Sequence, residues 1–247
     1  MIMPGAEPFF YPGGEHGVLL VHGFTGIPTE LMFMGKYLSE QGFAVMSVRL
    51  AGHGTSPQAL ALTTGEDWLD SVRDGYAVLQ NCTKKISVIG HSMGGTLALL
   101  LAAEKNFSHV VTLAAPIFIH PDTGINALPP REAVKGKFVP KKRRHLKNVP
   151  PVVNQTYRQM PLESIHELLA LIERVKKCLP QIKVPLLVVH SQNDHTADPK
   201  SAAYIYERAG SENKEIAWLS GVGHLLPLEE ESVRQNIFAR TAEFLRS

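Results

Sequence analysis

Six short runs rich in apolar and β-branched residues, at 18–22, 44–49, 85–90, 109–114, 185–190 and 215–219, alternate along this chain with segments of helical spacing at 29–41, 66–80, 93–104, 199–208 and 230–245. A strand, a helix and a second strand in succession form a crossover connection, which leaves the two strands parallel. Runs this short and this apolar are buried on both faces, so helices must cover both sides of the sheet. The expectation is an α/β fold with a mostly parallel central sheet flanked by helices. A chain of 247 residues with 44% hydrophobic content can bury one large core, so a single domain over 1–247 is expected.

The alternation lapses between Pro116 and Pro180. That stretch offers no strand-like run, seven further prolines, a basic cluster and one amphipathic helix with Leu162, Ile165, Leu168, Leu169, Ile172, Val175 and Leu179 along one side. It reads as a cap insertion over approximately 117–180 that folds over the sheet. The plainer reading is a helix that packs on the core.

Composition narrows the partners. A formal net charge of +2 gives no global attraction to nucleic acid or to an anionic membrane. The cluster Pro140-Lys141-Lys142-Arg143-Arg144-His145-Leu146-Lys147 has no interleaved aromatic residues for base stacking and reads as a solvated surface; weak contact with anionic lipid is the alternative. Cys82 and Cys178 lie far apart in no metal-ligand spacing, as free thiols in a reducing compartment would. The first residues lack a basic start and an apolar run, and no stretch reaches transmembrane length, so a cytoplasmic protein is expected. His22, His53, His91, His190, His195 and His224 fall near strand ends without the paired spacing of a metal site, so no metal is expected.

The chemistry begins at Gly90-His91-Ser92-Met93-Gly94, between the run Ile86-Ser87-Val88-Ile89 and the helical segment that opens at Met93. A serine on such a bend adopts a strained backbone, and glycines two places before and after let strand and helix pass closely. Ser92 is therefore the candidate nucleophile. A serine hydroxyl reacts poorly unless a neighbouring base takes its proton and a carboxylate orients that base. Past the strand at 185–190 comes Asp194, and past the last strand comes Gly221-Val222-Gly223-His224, which supplies acid and base in the chain order Ser, Asp, His. Asp198 competes for the acid, but it precedes Pro199 and reads as a helix cap. The oxyanion that forms on attack needs preorganised donors. The amide of Met93, at a helix N-terminus, and that of Phe24, in the loop His22-Gly23-Phe24-Thr25-Gly26, are the candidates. Phe24, Met93, Ile117, Phe118, Ile119 and Leu225 line the expected pocket with apolar surface suited to an acyl tail.

Taken together, HGFTG at 22–26, GHG at 52–54, GHSMGG at 90–95, the loop aspartate at 194 and GxGH at 221–224 resemble the α/β-hydrolase superfamily across nearly the whole chain. The small size, the HGFTG loop and the short cap look most like the bacterial carboxylesterase and monoacylglycerol lipase group of thermophilic bacilli. That resemblance implies a serine hydrolase needing no metal and no cofactor, with Ser92, Asp194 and His224 as triad and Phe24 and Met93 as oxyanion hole. Short to medium acyl esters are the expected small-molecule substrates, monoacylglycerols among them. Thioesterase, lactonase, perhydrolase and C–C bond hydrolase chemistry use the same nucleophile and stay open, as does a slow-turnover ligand receptor. The oligomeric state is not read from the residues.

Overall fold

The computed structural model describes residues 1–141, 146, 149–153 and 155–247. Its strands are β1 (Phe9–Tyr11), β2 (His16–Val21), β3 (Ala44–Val48), β4 (Lys85–His91), β5 (Val110–Leu113), β6 (Phe138–Pro140), β7 (Gln159–Pro161), β8 (Leu186–Ser191) and β9 (Lys214–Leu219). Its helices are α1 (Met32–Glu40), α2 (Pro57–Ala61), α3 (Gly65–Gln80), α4 (Met93–Glu104), α5 (Arg131–Val134), α6 (Leu162–Cys178), α7 (Lys200–Arg208) and α8 (Glu231–Phe244). Among the described residues, seven strands form one sheet in the order β1-β3-β2-β4-β5-β8-β9. Only the β1–β3 pair in it is antiparallel.

Alternation along each inner strand divides the core into two layers. On β2, Leu19 and Val21 join α3, α4, α6 and α7 on one face, while Val18 and Leu20 meet α1 and α8 on the other. On β8, Leu186 and Val188 take the first face and Leu187 and Val189 the second. All of these side chains are essentially inaccessible to solvent, and each contributes about 1.5–3 kcal/mol by leaving water. Helix α4 is buried from Met93 to Ala102, so it is apolar all round rather than amphipathic. Helix α3 opens on a capping box in which Thr64 and Asp67 satisfy each other's amides, one residue earlier than its periodicity predicts.

Three expectations are corrected. β1 is a short antiparallel strand that the predicted series lacks; its three residues carry too little pattern to register. β9 lies at the sheet edge with its residues half-buried or exposed, so the run at 215–219 is not covered on both faces. Between Pro116 and Pro180 the chain does contain strands: β6 pairs with β7 in a separate antiparallel ribbon, Phe138 opposite Pro161. Both are three residues long and carry proline, which hides them from a periodicity test.

The helix in that stretch, α6, buries Leu168, Leu171, Ile172 and Val175 in the same layer as α3 and α4, and Ile165 is buried as well. Leu171 takes an inward place, whereas Leu169 is only partly buried. Cys82 and Cys178 are unpaired. Among the described residues, no helix is long and apolar enough to cross a membrane. Of the basic cluster, residues 142–145 and 147 lie outside the described residues, while the Lys141 ammonium donates to the hydroxyls of Thr25 and Thr156.

Candidate active site

Ser92 sits between β4 and α4 with φ 53° and ψ −122°, a left-handed conformation that costs a non-glycine residue on the order of 1–3 kcal/mol. The two flanking glycines explain how the bend is tolerated. A Cβ on Gly90 would lie 2.0 Å from the Gly94 carbonyl oxygen, and a Cβ on Gly94 would lie 2.0 Å from the Val21 oxygen. Strand, helix and the neighbouring strand end thus touch through backbone alone.

The loop after β9 carries His224 and the loop after β8 carries Asp194. His224 Nε2 lies 2.8 Å from Ser92 Oγ, and His224 Nδ1 lies 2.7 Å from Asp194 Oδ2. The carboxylate also accepts the amides of Thr196 at 2.8 Å and Ala197 at 3.0 Å through Oδ1. Burial opposes its ionisation, but the His224 contact and the Thr196 amide outweigh that penalty and hold its pKa below the usual range. An ionised Asp194 fixes the proton of His224 on Nδ1 and leaves Nε2 as an acceptor facing Ser92. Burial, reinforced by His91 and His190, outweighs Asp194 and lowers the pKa of His224, so the ring is neutral at pH 7. Asp198 Oδ1 accepts the Lys200 amide at 2.9 Å in the first turn of α7, the capping contact that its sequence context predicts.

The loop 22–26 approaches the serine closely enough that a Cβ on Gly23 would lie 3.3 Å from Ser92 Cβ. The buried His22 ring braces this loop, donating from Nδ1 to the Gly23 oxygen at 2.9 Å and accepting the Leu50 amide at 3.2 Å. Met93 is the first residue of α4, where a helical amide has no partner within its own helix. Among the described residues, no acceptor takes the amide of either Phe24 or Met93.

Two further residues organise the site. Glu30 and His91 form a buried pair, with His91 Nδ1 2.5 Å from Glu30 Oε1. Glu30 Oε1 also accepts the Gly23 amide at 3.1 Å, and His91 Nε2 donates to the His224 carbonyl at 2.9 Å. Burial disfavours charge on both, yet each stabilises the other's ionised form: the Glu30 pKa falls to about 2 and that of His91 rises. The loop at 22–26, the serine bend and the histidine loop are thereby tied to one buried ion pair. In the sequence His91 stands out only within GHSMGG and among the histidines near strand ends, and Glu30 not at all, because nothing local links positions 61 residues apart.

The residues expected to meet an acyl tail divide. Phe24 is half-buried, with its ring against His53 and Trp68. Ile117 belongs to the core at 2% exposure. Phe118 packs edge-on against Tyr204 beneath Lys176. Ile119 and Leu225 are half-buried, the latter beside His224.

Known proteins resemble this chain over nearly its whole length. A family model described as serine aminopeptidase, S33, matches residues 15–231. The chain is 34% identical to a thermostable monoacylglycerol lipase of Bacillus sp. (strain H-257), over 98% of this chain and 95% of the relative. It is 29% identical to a carboxylesterase of Bacillus subtilis (strain 168), over 94% of each. The solved structure described for LipS and LipT, two metagenome-derived lipolytic enzymes, superposes with a TM-score of 0.88 at 28% identity and covers 100% of this chain and 99% of that one.

Proposed function

Because the chain belongs to the serine aminopeptidase S33 family of hydrolases, we propose that Ser92, His224 and Asp194 make it a carboxylic-ester hydrolase working through an acyl-enzyme. The observation that carries the reading is the unbroken relay from Ser92 Oγ to His224 to Asp194, at 2.8 and 2.7 Å, beside two backbone amides that no acceptor among the described residues takes. The fold is that of the α/β-hydrolases, and the relatives are named for ester cleavage. Glu30 and Asp194 are each engaged by a histidine and by a backbone amide, so neither is free to hold the ammonium group of an aminopeptidase substrate.

The ester carbonyl oxygen takes its place between the amides of Phe24 and Met93, each such donor contributing about 3 kcal/mol to the transition state. Ser92 Oγ attacks the carbon while its proton passes to His224 Nε2, and Asp194 stabilises the imidazolium. The bond to the alcohol oxygen then breaks, the imidazolium protonates that oxygen, and the acyl group stays on Ser92. Water repeats the attack with the same base, releasing the acid and restoring the serine.

Short to medium acyl esters, monoacylglycerols among them, are the substrates assigned, with Phe24, Ile119 and Leu225 as the apolar surface nearest the reacting atoms. The irregular part of the insertion acts as cap: Thr156 donates to the Thr25 oxygen at 3.0 Å and Tyr157 to the Gly52 oxygen at 2.6 Å, setting it against the loop that bears Phe24. A reducing compartment, the cytoplasm, fits the unpaired Cys82 and Cys178.

Ser92→Ala is expected to lower kcat on a short acyl ester and on a monoacylglycerol by about 10⁵–10⁶-fold, and a fluorophosphonate probe is expected to label Ser92 alone. Near-normal turnover in that variant overturns the reading. A thioester and a lactone in the same assay rank the competing chemistries, and a single turnover without recycling indicates a receptor.

A further inference from the structure

We propose that His120, Asp122 and His195 form a binding site for a divalent transition-metal ion of the Zn²⁺ type, where the start of the insertion meets the loop that carries Asp194. The fold brings these residues together through backbone pairing. Ile119 forms an antiparallel bridge with Ala197, and the His120 amide donates to the Thr196 oxygen at 2.9 Å. His120 and Asp122 therefore stand opposite His195, although 75 and 73 positions separate them from it in the chain. The imidazoles of His120 and His195 meet edge to face with centroids 5.1 Å apart.

The donor set and its spacing select the ion. One nitrogen from each imidazole and one carboxylate oxygen all lie within 4.8 Å of one another. Asp122 Oδ2 is 3.7 Å from His195 Nδ1 and 3.5 Å from His120 Nδ1, which accepts the Asp122 amide at 3.3 Å and would exchange that bond for the ion. In a tetrahedral zinc site with bonds of about 2.0 Å, ligand atoms sit about 3.3 Å apart. The Asp122 and His195 side chains are 69% and 68% exposed, so they are free to rotate toward that spacing. Two imidazoles and one carboxylate suit zinc and its transition-metal neighbours, whereas Mg²⁺ and Ca²⁺ require oxygen donors. Among the described residues, Asp122 pairs with no lysine or arginine, which leaves its charge available to a cation. Three protein ligands leave a fourth position to water.

The ion would act as a clamp rather than in the reaction. His195 is exposed, whereas its neighbour Asp194 is buried at 1% exposure. The segment that the clamp would hold, 195–197, supplies the two amides that fix the Asp194 carboxylate. Binding would couple the root of the insertion to the support of the triad's acid.

Titration of metal-free protein with Zn²⁺ by calorimetry is expected to show one site per chain with a Kd in the micromolar range or tighter. His195→Gln, His120→Gln and Asp122→Asn are each expected to weaken it at least tenfold, while His224→Gln and Mg²⁺ in place of Zn²⁺ serve as controls. At 100-fold over Kd, Zn²⁺ is expected to raise Tm by about 5 °C or more in the unsubstituted protein, and by much less in His195→Gln. No saturable binding, binding indifferent to His195→Gln, or binding abolished by His224→Gln overturns the proposal. The titration works equally in Ser92→Ala protein, so its outcome is independent of the hydrolase reading.

Discussion

At the scale of the residue, the site depends on charges that burial would suppress if they stood alone. Glu30 and His91 each lose hydration on folding, and only their mutual contact keeps both ionised. Removing one partner of such a pair costs about 3–5 kcal/mol, because the other is left buried without compensation. Glu30→Gln is accordingly expected to lower the unfolding free energy by about 3 kcal/mol and to reduce kcat by about tenfold, since a neutral His91 can no longer donate to both Glu30 and the His224 carbonyl. The double variant Glu30→Met/His91→Leu is expected to recover part of the stability but not the rate. Urea unfolding and ester kinetics on the three proteins check this; equal stability in all of them refutes it. The candidate nucleophile, acid and base are legible in the sequence because each sits in a short motif at a strand end. The pair beneath them is not, since neither member carries a local pattern.

At the scale of the element, the β4–α4 bend works because backbone meets backbone there. Gly94→Ala places a methyl group 2.0 Å from the Val21 oxygen, atoms of a central strand that cannot move without displacing β2. The expected cost is about 3 kcal/mol, with loss of activity as the bend opens and Ser92 Oγ leaves His224. Thermal unfolding and ester hydrolysis measure the two effects, and a stable, active Gly94→Ala protein contradicts the account. Gly42, which has nothing within 4 Å of its Cβ position, lies on the surface in a left-handed turn and is constrained by its φ of 92° rather than by space. The inner strands and the helices α3, α6, α7 and α8 follow from periodicity, which acts over a few residues, and α4 from an apolar run too long for a strand. The β6–β7 ribbon escaped because strands of three residues containing proline have no period to read.

At the scale of the whole molecule, histidine protonation sets the pH response. Among the described residues, burial lowers the pKa of His16 (to about 4), His22, His53, His109, His190 and His224, while that of His91 is raised by Glu30. For the lowered group, the unfolded chain binds more protons between the folded value and 6.5, so their contribution to stability is lost as pH falls below 6.5. His91 has the opposite limb: its contribution is full below 6.5 and is lost as pH rises through its raised pKa, whereas that of its partner Glu30 is lost only as pH falls from 4.5 toward about 2. The lowered histidines outnumber the raised one, so Tm is expected to be lower at pH 5 than at pH 7, as scanning calorimetry at the two values would show. A flat or inverted profile overturns that accounting. The sequence by itself determined the layered α/β architecture and the candidate nucleophile, base and acid, because apolar periodicity and the glycine-flanked bend are local constraints that short segments carry intact. Only the tertiary structure decided that Glu30 would meet His91, that His120 and Asp122 would face His195, and that α6 would turn Leu171 inward. Those contacts depend on strand order and register, which a one-dimensional pattern does not encode.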